Sequence, residues 1–211
     1  MLILKLVTSD LYQENCFIVA DEASREGVVM DPGDDADHIL AAVHEHRLII
    51  TKIINTHGHV DHIAAAHELK TALNIPFLIH KGDESLVAWA KPLSAALTFH
   101  PITPPKIDGY LNDGDVIGIG SHKAKVLYTP GHTQGGVCFY FEPEKAAFVG
   151  DTLFQGSIGR TDLPGGNTDQ LLNSIRTKLL TLPDDTVCYC GHGDETTIGA
   201  ERRLNPFLSS D

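Results

Sequence analysis

The sequence reads as an α/β fold. Short apolar runs rich in β-branched residues recur along the chain, and helix-spaced apolar stripes fall between them. The loops richest in histidine and aspartate each directly follow one of these runs. With 211 residues and 42% apolar side chains, the chain is long enough to bury a sizeable core.

The runs at 2–7, 16–20, 28–30, 49–54, 77–79, 116–119, 126–128, 137–141, 146–149 and 187–190 have the length and composition of strands. Ala36, Ile39, Leu40 and Val43 keep helical spacing, with Asp34 as the expected N-cap. Ile63, Ala66, Leu69 and Leu73 form a second stripe. Residues 91–113 carry Pro92, Pro101, Pro104 and Pro105 and predict a long loop, of the kind that serves as a lid or substrate wall. Leu171, Leu172, Ile175 and Leu179 form a third stripe, entered through Asn167 and Gln170 in the spacing of a capping box. Residues 200–207 predict a short helix interrupted at Pro206.

The net charge of −12 argues against nucleic-acid partners and anionic membrane surfaces, and an anionic substrate would need a local basic contact. The apolar N-terminal stretch is short, with no cationic leader or small-residue cleavage site, and reads as a first strand; a cytoplasmic protein is expected. Cys16, Cys138, Cys188 and Cys190 have no disulfide-framework spacing and are expected as small buried hydrophobes.

The chemistry concentrates in Thr56-His57-Gly58-His59-Val60-Asp61-His62. His57 and His59, two apart in an extended segment, face the same way and can share an ion. Asp61 and His62 fall where the chain turns into the next helix and can face a second. Three later loops add Gly131-His132, Gly150-Asp151 and Gly191-His192. His132 can complete the first set, His192 the second, and Asp151 can offer one oxygen to each ion. Since ligands at strand ends converge in open sheets, the loops are expected on one rim. Nitrogen and oxygen donors without thiolate suit Zn2+, and are compatible with Fe2+ or Mn2+. His38, His44, His46, His67, His80, His100 and His122 are expected to be ordinary. Thr56, Asp31 and Thr133 are expected to support the imidazoles, Asp31 without binding metal.

His57-Gly58-His59-Val60-Asp61-His62 resembles the HxHxDH signature of the metallo-β-lactamase superfamily. Pro130-Gly131-His132-Thr133, Gly150-Asp151-Thr152-Leu153-Phe154 and Gly191-His192 resemble its later motifs, in the order seen in glyoxalase II, the hydroxyacylglutathione hydrolases. The resemblance implies a four-layer αββα sandwich of two mixed sheets, spanning residues 1–211 as one domain without the helical C-terminal extension of full-length glyoxalase II. It implies His57, His59 and His132 on one divalent ion, Asp61, His62 and His192 on the other, and Asp151 bridging. Class B β-lactamases commonly place a cysteine near the Asp151 position and are usually exported; this chain shares neither feature, which argues against β-lactamase activity.

The expected function is therefore metal-dependent hydrolysis of a thioester such as S-D-lactoylglutathione, by a metal-bridging hydroxide that Asp61 orients. The expected partner is this small molecule. Arg160 is the candidate contact for a substrate carboxylate. In the longer enzymes a lysine near this position and a tyrosine two residues on contact glutathione, whereas here Asp162 replaces the tyrosine. Tyr128, Phe154 and the 91–113 segment are further candidates for the pocket wall. Arg202 and Arg203 are read as helix-end charges. Gly159-Arg160-Thr161-Asp162 also resembles persulfide dioxygenases, which hold one iron through two histidines and an aspartate; a non-catalytic metal-binding protein is the third alternative.

Overall fold

A computed structural model describes residues 1–9, 11–96 and 101–208; His100 lies outside the described residues. Two six-stranded mixed sheets form the centre. The first takes β1 (Leu2–Thr8), β2 (Glu14–Ala20), β3 (Glu26–Met30), β4 (Ile49–Ile54), β5 (Phe77–His80) and β6 (Gly109–Leu111), in that spatial order. Its β1–β2–β3 meander is antiparallel, while β3 through β6 run parallel. The helices that follow these strands are α1 (Ala36–Glu45), α2 (Val60–Ile63), α3 (Ala66–Leu73) and α4 (Glu84–Ala96).

The second sheet takes β7 (Val116–Ile119), β8 (His122–Tyr128), β9 (Val137–Phe141) and β10 (Ala146–Gly150). A small hairpin, β11 (Leu153–Phe154) and β12 (Ser157–Ile158), and a helix, α5 (Thr168–Ser174), come next. Then β13 (Val187–Cys190), β14 (Thr196–Thr197) and α6 (Ile198–Leu204) complete the fold. The sheet order is β14-β13-β10-β9-β8-β7, with only the β10–β13 pair parallel.

Three apolar clusters make the layers. Phe17, Val19, Met30 and Ile54 meet Val126, Phe139, Phe141 and Phe148 between the sheets. Ile39 and Val43 of α1, Leu69 of α3 and Val87 of α4 cover the outer face of the first sheet. Leu171, Ile175 and Leu179 cover that of the second. Because both faces are covered, β2, β9 and β10 are buried along their whole length; β9 and β10, and β2 from Cys16 on, read as apolar runs rather than alternating ones. All four cysteines are buried and unpaired. Among the described residues no helix is long and apolar enough to cross a membrane.

Several local expectations are corrected. The N-cap of α1 is Asp35, in left-handed backbone, whose side chain accepts from the His38 N–H; Asp34 instead accepts from the Asp35 N–H. The stripe after the histidine cluster is broken into α2 and α3 at Ala64–Ala65. The predicted 91–113 loop begins inside α4, which runs through Pro92 to Ala96. Asn167 caps α5 through the Gln170 N–H, but the reciprocal half of the capping box is missing. The Asn167 N–H donates to the Gly131 carbonyl, and the Gln170 side chain accepts from Gln134. Helix α6 stops at Leu204, since Asn205 precedes Pro206 and is extended.

Candidate metal centre

The loops after β4, β8, β10 and β13 meet at one edge of the sandwich. Leaving β4, Asn55 is fully buried and its side-chain amide donates to the His62 carbonyl at 2.8 Å, which closes the loop on itself. The Thr56 carbonyl accepts from the Val137 N–H at 2.8 Å, tying this loop to the second sheet. His59 stands extended before α2, so Asp61 and His62 lie in its first turn. Glycine matters most at two positions. Gly150 has φ +48°, and a Cβ there would strike the Thr56 side chain; a Cβ on Gly191 would strike Asp151 Oδ1.

The seven expected donors converge. His59 Nδ1 lies 3.1 Å from His57 Nε2 and 3.0 Å from His132 Nε2. His62 Nε2 and His192 Nε2 are 3.3 Å apart, with Asp61 Oδ2 3.4 Å from the latter and 3.9 Å from the former. Asp151 stands between the sets: Oδ1 is 3.4 Å from His62 Nε2, and Oδ2 is 3.6 Å from His132 Nε2 and 3.7 Å from His192 Nε2.

The outer nitrogens explain why the inner ones are available. His132 Nδ1–H donates to the Arg160 carbonyl at 2.8 Å and His192 Nδ1–H to the Tyr12 carbonyl at 3.0 Å. His62 Nδ1 faces Asp31 Oδ2 at 3.1 Å. His57 Nδ1 faces Thr56 Oγ1 at 3.1 Å, and that hydroxyl donates to Asp31 at 2.5 Å. A proton on the Nδ1 of these four leaves their Nε2 lone pairs pointing inward, whereas His59 turns Nδ1 to the centre.

Electrostatics divides the two sets. Burial, reinforced by the neighbouring imidazoles, pushes His57 well below the usual histidine range and His59 down to about 4. Burial also opposes charge on His62 and His192, but there the adjacent carboxylates win and both are raised; Asp151 acts most strongly on His62, and Asp61 on His192. Burial works against the charges of Asp151 and Asp61 as well, yet the histidines hold both carboxyls below their ordinary values.

The donor set fits divalent metal. On a tetrahedral Zn2+ with Zn–N bonds of about 2.1 Å, two nitrogens stand ~3.4 Å apart, close to the spacings found here. Asp151 Oδ1 is buried without a hydrogen-bond partner, as a carboxylate oxygen reserved for a cation would be. Nitrogen and carboxylate donors alone do not choose among Zn2+, Fe2+ and Mn2+.

Other expected site residues fall as follows. Asp31 sits behind His62, its carboxylate taken up by that imidazole and by the Thr56 N–H and hydroxyl. Thr133 does not support an imidazole: its hydroxyl donates to Asp83. Arg160 lies on the wall of a cavity of about 500 Å³ over the centre, with its guanidinium doubly bonded to Asp162 at 2.8 and 2.8 Å. Tyr128 and Phe154 do not line this cavity, and from the 91–113 segment only Leu93 does, among the described residues. Arg202 and Arg203 pair with Asp184.

Two buried acids were missed. Asp83 accepts from the Gly58 N–H, the Gly135 N–H and the Thr133 hydroxyl, pinning the loops that carry His59 and His132 to each other. Burial pushes its carboxyl up. Glu14 is fully buried at the start of β2, accepts from Thr8 at 2.6 Å, and lies 3.7 Å from His62 Nδ1. Its available signal was the polar pair Glu14-Asn15 leading straight into an apolar run; Asp83 offered none.

Residues 9–192 match the family model described as the metallo-beta-lactamase superfamily. A hydroxyacylglutathione hydrolase, GloC, of Haemophilus influenzae is 36% identical over 98% of both chains. Among solved structures, the BLEG-1 B3 metallo-beta-lactamase superposes with a TM-score of 0.89 at 37% identity, covering 99% of this chain and 100% of its own. TTHA1623, solved in a di-iron-bound form, gives 0.88 at 37% identity, covering 97% and 100%. ETHE1 from Myxococcus xanthus gives 0.82 at 30% identity, covering 98% and 84%.

Proposed function

Because the chain belongs to the metallo-β-lactamase superfamily, we propose that it is a metal-dependent hydrolase that cleaves a thioester, with hydroxyacyl-glutathione thioesters the first class to test. The observation that carries this reading is the convergence of two three-residue donor sets with a carboxylate between them, at the floor of an open cavity. His57, His59 and His132 would hold one divalent ion, Asp61, His62 and His192 the other, with Asp151 shared. Bound there, the ions supply an activated water and a Lewis acid at neutral pH.

The chain's own residues do the rest. Asp61, kept ionised, lines the cavity and accepts a hydrogen bond from the attacking water, fixing its direction. The outer partners of the imidazoles hold the donors in place, so little reorganisation accompanies the reaction. A thiol leaves as its anion near neutral pH, so no dedicated acid is required. The relation to GloC supports the thioester class.

Elemental analysis of the purified chain, combined with a thioester screen that includes S-D-lactoylglutathione, tests the reading. Two ions per chain and thioester turnover are expected; a metal-loaded protein that turns over no thioester refutes it. Replacing Asp151 with alanine is expected to remove metal and turnover together. The likeness to BLEG-1 places a chromogenic β-lactam in the same screen. A mononuclear iron persulfide dioxygenase is the second reading, favoured by the likeness to ETHE1 and by Gly159-Arg160-Thr161-Asp162. Oxygen uptake with glutathione persulfide and a single iron would select it.

A further inference from the structure

Resting on the hydrolase reading, we propose that the rim of this site selects an uncharged, apolar acyl group, held between the Leu86–Leu93 face of α4 and the Leu163–Pro164 turn.

Two independent observations carry the proposal. The first is the chemistry of the walls. Leu86 and Leu93 lie two turns apart on one face of α4 and both line the cavity, as does Val60. Leu163 and Pro164 line it as well. Leu93 is 40% exposed and Leu163 37%, so apolar surface on both residues is open for a ligand to cover.

The second is charge. Arg160 is the only lysine or arginine on the cavity wall among the described residues. Both its donor groups facing Asp162 are occupied, which makes the pair neutral as a unit. The chain around it carries a net charge of −12. At the rim a substrate tail bearing two carboxylates, as in glutathione, would meet a single side-chain cation that is already compensated. An alkyl or aryl group meets leucine and proline. Affinity gained at the rim is therefore expected to follow apolar area, up to about fourfold per buried methylene group.

The test uses the metal-loaded full chain and non-hydrolysable S-alkyl thioethers, methyl to hexyl. One series is built on the neutral thiol N-acetylcysteamine and the other on glutathione, with binding read by calorimetry. Kd is expected to fall steadily with chain length in both series, and the two head groups to agree within about threefold. Leu93→Ser with Leu163→Ser is expected to flatten the dependence on chain length, with circular dichroism confirming the fold. A Kd indifferent to chain length in the unaltered chain overturns the proposal, as does a glutathione series more than about threefold tighter at every length. Turnover of the matching acyl thioesters separates the two levels. Length-dependent binding without turnover upholds the apolar rim and refutes the hydrolase; turnover with flat binding does the reverse.

Discussion

Asp31 shows how much of the centre is decided away from the donors themselves. It sits at φ +51°, a left-handed conformation that aspartate and asparagine tolerate better than most side chains. From there it receives the Thr56 N–H and hydroxyl and faces the outer nitrogen of His62. Asp31→Asn preserves the backbone preference and removes the charge, so metal affinity is expected to fall about 10–100-fold, measured by competition with a chromogenic chelator. Asp162 acts in the opposite sense, because it occupies the Arg160 guanidinium. Asp162→Asn is expected to raise kcat/KM for thioesters that carry a carboxylate, by about fivefold or more, relative to a neutral thioester assayed in parallel. The convergence of His57, His59, Asp61 and His62 could be anticipated from the sequence because their close spacing is itself chemical. Asp83 could not be anticipated, because a buried acid is made by its partners, and those at Gly58, Thr133 and Gly135 lie 25, 50 and 52 positions away; Glu14 showed only as the polar pair that opens β2, with its neighbour His62 far along the chain.

Among the elements, strands could be read where they are apolar runs, and their polar ends were missed. Residues 137–141 match β9 along its whole length, whereas β8 begins at His122, four residues before the apolar run, in the alternating stretch His122-Lys123-Ala124-Lys125. Helix α4 was hidden by Pro92, which removes one helical hydrogen bond and ordinarily argues for a loop. Burial of Val87, Ala90 and Ser94 outweighs that loss. The two sheets are also joined by a polar link. Asp21, just past β2, accepts from the Ser121 N–H and hydroxyl in the β7–β8 turn and from the Ala23 and Ser24 N–H groups. These bonds, led by that from the Ser121 hydroxyl, hold its carboxyl well below the ordinary range. A carboxyl lowered in the folded state stabilises it fully above about pH 4 and loses that contribution as the pH falls further. Asp21→Asn is therefore expected to be less stable than the parent at pH 7, with the gap closing in acid, as read by urea unfolding at both pH values.

At the scale of the molecule, every loop that carries a candidate donor leaves the end of a strand of the two sheets, so a bound metal and the sandwich would stabilise each other. Bound at one hundred times its Kd, an ion contributes about 2.7 kcal/mol. Chelation of both proposed ions is then expected to lower Tm by about 10–20 °C for a chain of this size, checked by thermal unfolding with and without EDTA. Restored Zn2+ should return it. The layer order followed from resemblance rather than from periodicity, because runs buried on both faces do not say which sheet they join.

The chain order of the strands carries one more consequence. All of the first sheet precedes residue 112, and the second begins at Val116. His57, His59, Asp61 and His62 belong to the earlier half, and His132, Asp151 and His192 to the later one. Each three-residue set therefore straddles the join, and neither half alone could complete either one. A retained cation would act as a clasp that reports assembly: a nascent chain that had built only its first sheet would hold only part of either set, and separately expressed halves should recombine more readily when zinc is supplied.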